Sequence, residues 1–215
     1  MSEYVVVKFE TPKTETYVFK GNFKDNIYKV SLGFKNKERL KKAMQMVGLS
    51  AEPGRIGDDS TGTTKVSLKL NNMMGFIEEN GEMVLLYFKS DDNIVESILN
   101  FYKALEIQEN LQQQGFTIAS EMIQNQQHNI ILQKDKEVVE ITYELGDKVY
   151  IHSKNFKNHE ECDKIIKDNL PDEAVVITET KTNELYQENI EDEEKEFELE
   201  EDIHQEEENE REIEL

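Results

Sequence analysis

The sequence is short of the features that mark secreted and membrane proteins. It has one cysteine, Cys162, among 215 residues, and a lone thiol cannot form an internal disulfide, so an oxidising compartment is not indicated. No stretch approaches the roughly 18 apolar residues of a membrane span. The first residues, Met1 to Tyr4, do not begin a basic segment followed by an apolar run, as a signal peptide would. We therefore expect a cytoplasmic protein that makes no contact with a membrane.

Positive charge is also scarce. The chain has 25 Lys and Arg residues against 46 Asp and Glu, which gives a net charge of −21 at pH 7. Residues 188–215 hold 16 acidic residues against Lys195 and Arg211, so most of the surplus lies there. Negative charge repels phosphates, which disfavours direct binding to nucleic acid. Self-repulsion and few apolar residues predict that residues 187–215 form a disordered acidic tail.

The apolar pattern of residues 1–135 predicts an α+β domain with a mainly antiparallel sheet and two helices. Asn36 is a good N-cap for a short helix that ends at Gly48, and a longer helix has capping-box spacing from Asn93 to Glu96 and ends at Gly115. The Asn80-Gly81 pair predicts a tight hairpin, because both turn positions need a positive φ. Strands are predicted at residues 4–9, 17–19, 27–32, 65–70, 73–78, 83–88, 116–123 and 129–133.

A charged seam at residues 134–137 predicts a domain boundary after residue 135. Residues 136–186 then read as a small ββαβ domain, with strands at 138–143, 148–152 and 174–178 and a helix capped by Asn158. A unit of this size is too small to be strongly stable alone. We therefore expect it to pack on the first domain or on a partner.

Two uncharacterised families share this order of elements and several short motifs. Residues 1–134 resemble the cyanobacterial and plastid family called hypothetical chloroplast reading frame thirty-five, most clearly from Gln112 to Ile118. Residues 138–186 resemble a second small bacterial family, with a corner at residues 155–158 and a helix that carries Cys162. Neither resemblance implies an activity. Proteins of this kind resemble accessory components encoded near AAA-type ATPases, so the resemblance implies an ATPase as a partner.

The most site-like stretch runs from Ser50 to Thr63. Its glycines could turn backbone N–H groups toward an anion, but it lacks the Gly-Lys-Ser/Thr ending of a phosphate-binding loop. Asp58 and Asp59 would also repel phosphate. A plain flexible loop is the favoured interpretation. A small-molecule or metal-assisted site that uses Asp58 and Asp59 stays the alternative.

His159 and Cys162 have His-x-x-Cys spacing, yet a zinc site needs about four ligands and the chain has no second such pair. Cys162 precedes Ile165 and Ile166 at helical spacing, which favours a buried structural thiol. A Cys–His pair on one helix also lacks a defined cleft for nucleophilic catalysis. We predict no catalytic residue, no cofactor and no metal site, and therefore a protein that is not an enzyme.

The acidic tail has three interpretations. It is a solubilising end, or it binds a basic partner surface through Phe197, Leu199 and Ile203, or it mimics nucleic acid and inhibits a nucleic-acid-binding protein. The leading hypothesis is a non-enzymatic accessory protein whose sheet or tail binds a larger machine, such as an AAA-type ATPase. The alternatives are a small-molecule- or metal-binding domain that uses residues 50–63, and the nucleic-acid mimic.

Overall fold

A computed structural model describes residues 1–10, 17–19, 27–59, 62–124, 127–144 and 148–182. The predicted tail, with Phe197, Leu199 and Ile203, lies outside these residues. The described chain is α+β, with mostly antiparallel strands and three helices, as the sequence predicts. In chain order the elements are β1 (Ser2–Phe9), β2 (Tyr17–Phe19), β3 (Ile27–Phe34), α1 (Lys37–Met46), β4 (Gly54–Asp58), β5 (Gly62–Val66), β6 (Leu68–Lys69), β7 (Met74–Glu79), β8 (Glu82–Tyr87), α2 (Asp92–Gln113), β9 (Thr117–Gln124), β10 (Gln127–Lys134), β11 (Glu137–Glu144), β12 (Val149–Lys154), α3 (His159–Lys167) and β13 (Ala174–Thr182).

The larger sheet has six antiparallel strands in the order β13-β1-β12-β11-β10-β9. The predicted strands of the ββαβ unit are present, but β13 does not pair with β11 or β12. Instead β1, from the other end of the chain, lies between β12 and β13. The expected boundary after residue 135 falls in the turn between β10 and β11, where Asp135 has a φ of 55°. Those two strands pair from Lys134 and Glu137 onward, so the sheet is continuous there.

The second sheet has five strands in the order β2-β3-β8-β7-β6. Its central hairpin turns at Asn80 and Gly81, with φ angles of 53° and 79°, so the predicted turn is confirmed. The segment expected to be a plain loop is a hairpin instead, because β4 and β5 pair from Gly54 and Val66 to Asp58 and Gly62. Its Ile56 is fully buried in a small second core with Leu86, which explains why this segment folds back onto the sheet.

Helix α2 lies between the two sheets. Phe101 packs edge-on against Tyr143 of the six-stranded sheet, and Tyr102 packs against Phe34 of the five-stranded sheet, with ring centroids 4.9 Å and 4.7 Å apart. Thirteen of its 22 residues are buried, so the helix has an apolar environment on more than one face. The predicted cap at Asn93 is wrong, since Asp91 is the N-cap and its carboxylate accepts the Ile94 N–H. The helix ends before Gly115, whose φ is 94°, as predicted.

The two short helices are capped by the asparagines that the sequence predicts. The side-chain oxygen of Asn36 accepts the Arg39 N–H, and that of Asn158 accepts the Glu161 N–H. Helix α1 packs on α2, and α3 packs on β1 and β12. Cys162 of α3 is fully buried in the main core, which confirms the predicted structural thiol. Among the described residues, no helix is long and apolar enough to span a bilayer.

Candidate functional site

The most distinctive polar and aromatic surface is one face of the six-stranded sheet. Successive side chains of a strand point to opposite sides, so the buried residues Val149, Ile151 and Ser153 of β12 face the helices. The alternate residues therefore point away from them. We call this side the outer face and define it by six half-buried residues. They are Tyr4, Glu140, Thr142, Tyr150, His152 and Lys154.

Strand register places five of these residues in two rows across three strands, and Lys154 lies beyond them opposite Val138. Tyr4 of β1 lies opposite His152 of β12, which in turn lies opposite Glu140 of β11. In the next row Tyr150 lies opposite Thr142. Directly opposed residues in antiparallel strands have Cβ atoms about 5 Å apart, so each row is a set of contacting side chains.

Aromatic rings and polar groups surround an open cavity on this face. It has a volume of about 300 Å³ and is lined by Tyr4, Gln127, Glu140, Thr142, Tyr150 and His152. The Tyr4 and Tyr150 rings are stacked, with centroids 6.2 Å apart and planes 27° apart. His152 packs edge-on against Tyr4 at 5.9 Å. Small-molecule pockets begin at about this size, so the cavity suits a small group rather than a large ligand.

Glu140 is held in place by two donors. Asn129 Nδ2 donates to Oε1 at 2.6 Å, and Lys154 Nζ donates to Oε2 at 2.9 Å. Burial raises the pKa of Glu140, but the hydrogen bonds from Lys154 and Asn129 outweigh it and leave that pKa below its ordinary value. The carboxylate is therefore ionised at neutral pH and has a fixed position.

His152 and Tyr4, which also line the cavity, are neutral at pH 7. Burial lowers the pKa of His152, Lys154 lowers it further, and Glu140 opposes this only in part. Burial and the neighbouring Tyr150 raise the pKa of Tyr4. Among the described residues, no donor or acceptor is within hydrogen-bonding distance of His152 Nε2, which is shielded from solvent. The cavity thus offers one negative charge, one amine already paired with it, and aromatic walls.

The Cys162 thiol lies on the opposite side of the sheet, away from this cavity. It is buried with Ile166 in the core beneath α3 and points toward the carbonyl oxygen of Met1 at 3.7 Å. Burial raises its pKa, which disfavours the reactive thiolate. His152 and Cys162 are therefore not brought together as a nucleophile and a base.

One group of carboxylates in the described part of the chain has the spacing of metal ligands. Oxygens of Glu3, Asp163 and Glu179 lie within 4.8 Å of one another. Asp163 Oδ2 also lies 3.7 Å from the ammonium of Lys167, which competes with a metal ion for that carboxylate. The predicted His159–Cys162 spacing does not produce a metal-ligand cluster among the described residues.

Asp58 and Asp59, the predicted loop candidates, lie at the turn end of the β4–β5 hairpin. Asp58 is the last residue of β4 and both side chains are exposed. Neither side chain lines the outer-face cavity. The candidate tail residues Phe197, Leu199 and Ile203 lie outside the described residues.

Sequence reasoning missed the outer face. The alternation of Val149, Tyr150, Ile151 and His152 signals a strand with one polar face, which is a local pattern. The position of Tyr4 beside His152 depends on pairing between strands at opposite ends of the chain, which no local pattern encodes.

Comparison with known proteins gives one match. A family model described as START domain-like matches residues 70–148, which is less than half of the chain. The match runs from β7 through β11 and includes Glu140 and Thr142, but stops before Tyr150 and His152. No curated protein and no solved structure matches the chain.

Proposed function

We propose that this protein is a non-enzymatic binding module that contacts a basic protein partner through the outer face. One observation carries the proposal. The outer face surrounds an open cavity with two stacked tyrosines and a fixed, ionised carboxylate, while the opposite side of the same sheet is filled by helices. Tyrosines of this kind give a large contact area at little entropic cost, which is why they are enriched in protein interfaces.

Binding suits the chemistry of this face better than catalysis does. The ionised carboxylate of Glu140 is paired with the Lys154 ammonium, and His152 Nε2 is shielded from solvent. Neither group is therefore poised to exchange a proton with a substrate. The Cys162 thiol is on the other side of the sheet with a raised pKa.

The charge of the chain favours a basic partner. A net charge of −21 attracts a positive surface over about a Debye length and repels nucleic acid and anionic lipid. The acidic residues after 187 add a second contact, with Phe197, Leu199 and Ile203 as apolar anchors. An AAA-type ATPase in the cytoplasm is the partner that the family resemblance suggests.

The test compares two full-length variants that each gain one positive charge. Thr142→Lys places the charge on the outer face, and Gln112→Lys places it on the exposed end of α2. We expect a specific protein to be retained from cell extract by the wild type and by Gln112→Lys, and to be lost with Thr142→Lys. Its retention should weaken as salt is raised, since the attraction is electrostatic.

The same capture with Phe197→Ala, Leu199→Ala and Ile203→Ala combined in one chain measures the contribution of the tail. If Thr142→Lys retains the same proteins as the wild type at every salt concentration, the outer face is not the binding surface and the proposal is wrong.

A further inference from the structure

We propose that the outer-face cavity binds an arginine side chain of the partner, with its guanidinium stacked on Tyr4 and Tyr150 and hydrogen-bonded to Glu140. This inference rests on the proposed function and names the chemistry that the cavity recognises. Three properties of the cavity lead to it: the aromatic walls, the unused acceptor capacity of the carboxylate, and the sign of the charge around it.

The two tyrosines form a platform for a flat cation. Their rings are stacked, with centroids 6.2 Å apart and planes 27° from parallel, so a guanidinium that stacks on one ring lies nearly parallel to both. Both rings lie on one side of the sheet, because Tyr4 and Tyr150 alternate with core-facing residues of β1 and β12. The face of an aromatic ring is electron-rich and attracts a cation within about 6 Å of its centre. A guanidinium is planar and weakly hydrated, so it stacks on such a face better than an ammonium does.

Glu140 has acceptor capacity left over. A carboxylate offers about four acceptor positions, and each oxygen of Glu140 receives one hydrogen bond, from Asn129 or from Lys154. The side chain is 21% exposed, so a group that enters the cavity can reach it. Two parallel N–H groups of a guanidinium match the two oxygens of a carboxylate, which a single ammonium cannot do. Thr142 adds a hydroxyl at the cavity wall.

Lys154 carries a positive charge next to Glu140 and therefore opposes a second cation. Its ammonium lies 2.9 Å from Glu140 and its side chain is 35% exposed, so it can move toward solvent when another cation arrives. An anion would gain Lys154 but would face the fixed carboxylate of Glu140. Charge complementarity therefore favours a cation. It also makes a distinctive prediction: removal of the Lys154 charge strengthens the binding of a cation and weakens the binding of an anion.

The experiment titrates the full-length protein with N-acetyl-arginine amide and follows the ring resonances of Tyr150 and His152 by NMR. These resonances detect binding in the cavity, even if the arginine compound also binds acidic residues elsewhere. N-acetyl-citrulline amide, which has the same shape without the charge, and N-acetyl-lysine amide are the ligand controls. We expect saturable shifts with the arginine compound, weaker binding of the lysine compound, and no binding of the citrulline compound.

Charge variants decide between ligand classes without altering side-chain size greatly. Glu140→Gln should weaken binding of the arginine compound about tenfold, as for the loss of a charge-assisted hydrogen bond at a partly exposed site. Lys154→Gln should strengthen it. Tyr150→Leu should weaken it, whereas Tyr87→Leu should not, because Tyr87 belongs to another stacked tyrosine pair, with Tyr28 at 5.4 Å, on the five-stranded sheet.

The inference is wrong if the citrulline compound binds as tightly as the arginine compound, or if Lys154→Gln weakens binding of the arginine compound. It is also wrong if the arginine compound causes no saturable shift in the wild type. The two proposals fail separately. If Thr142→Lys abolishes partner capture but the arginine compound does not bind, only the arginine inference is wrong. If the compound binds but capture is unaffected, the cavity recognises guanidinium and the proposed role of the outer face in partner binding is wrong.

Discussion

Buried polar side chains are the residues at which this structure departs most from a simple apolar core. His128 of β10 is 3% exposed, and its Nε2 is 2.8 Å from Glu121 Oε1. Its ring lies 4.9 Å from that of Tyr143, which is also fully buried. Burial lowers the pKa of His128, although the carboxylate of Glu121 opposes this, and Lys42 lowers it further. The ring is therefore neutral in the folded protein at pH 7.

This arrangement predicts an acid-sensitive core. The pKa of His128 is lower in the folded chain than its ordinary 6.5. As the pH falls below 6.5, the unfolded chain takes up a proton on His128 while the folded chain does not, so the free energy of unfolding decreases until the folded pKa is passed. We expect urea unfolding to show a smaller loss of stability between pH 7 and pH 5 for His128→Gln than for the wild type. An unchanged slope would contradict it.

Glycine at position 57 is required by both backbone angle and space. Its φ is 93°, and a Cβ there would lie 2.0 Å from the carbonyl oxygen of Gly62 and 2.9 Å from Phe88. Gly57→Ala should therefore lower the free energy of unfolding by at least about 2 kcal/mol.

Gly48→Ala is the matched control, because Gly48 has a φ of 81° but no atom within 4 Å of the added Cβ. It should cost about 1 kcal/mol from backbone strain alone. Equal losses for the two variants in urea unfolding would show that the close contact at Gly57 relaxes without cost.

Features that depend on short-range interactions, such as helix caps and tight turns, were predicted well from the sequence. Asn36, Asn158 and the Asn80-Gly81 turn all act on backbone groups within four positions, so their effect is independent of the rest of the fold. The cap of α2 was misplaced because Asp91 and Asn93 are both good cap residues, and the local pattern does not distinguish them. The half of the cavity that includes Tyr4 was not predictable, because the local sequence of a strand does not specify which distant strand it pairs with.

At the scale of elements, α2 is the main link between the two sheets. Phe101 packs on the six-stranded sheet and the adjacent Tyr102 packs on the five-stranded sheet. Lys103 is nearly buried as well and pairs with Glu106 and Glu173 at 3.4 Å and 2.9 Å. A polar residue in a helix pattern therefore does not mark a solvent-facing side when its charge is paired.

Packing on both sides makes α2 sensitive to truncation of its side chains. Ile98 is completely buried in the main core. Ile98→Ala should lower the free energy of unfolding by about 2–5 kcal/mol through lost contacts and a cavity that the two sheets cannot both close. Gln112→Ala, on the exposed end of the helix, should change it by less than about 0.5 kcal/mol. Chemical denaturation of both variants checks this, and similar values would contradict the central position of α2.

At the scale of the whole molecule, the six-stranded sheet joins both ends of the described chain. The Met1 amine donates to the Phe156 carbonyl, and the Ser153 hydroxyl donates to the Glu3 carbonyl. The α+β class and the presence of nearly all strands followed from apolar patterns. Their order in the sheet did not, because pairing of β1 with β12 and β13 is decided by packing across the complete chain.

The position of β1 leads to a prediction about the small C-terminal unit. In the full chain β1 separates β12 from β13 and shares backbone hydrogen bonds with both. Residues 136–182 alone lack this strand, so we expect them to be unfolded by circular dichroism and to show poorly dispersed NMR spectra.

The control fragment joins residues 1–10 to residue 136 through a flexible glycine-serine linker. It restores β1 and should gain β-structure. A well-dispersed spectrum for residues 136–182 without β1 would show that the unit folds independently and would contradict this prediction.

Pairing between residues 150 positions apart also constrains how the protein is made. During synthesis β1 leaves the ribosome before β12 and β13, the two strands with which it pairs, and nearly all of the described chain separates them. Contacts between residues so far apart in sequence slow folding. They also lengthen the time for which unpaired apolar strands can bind chaperones or other nascent chains. The five-stranded sheet and α2 are synthesised between β1 and β12. They therefore provide the first apolar surface against which β1 can pack.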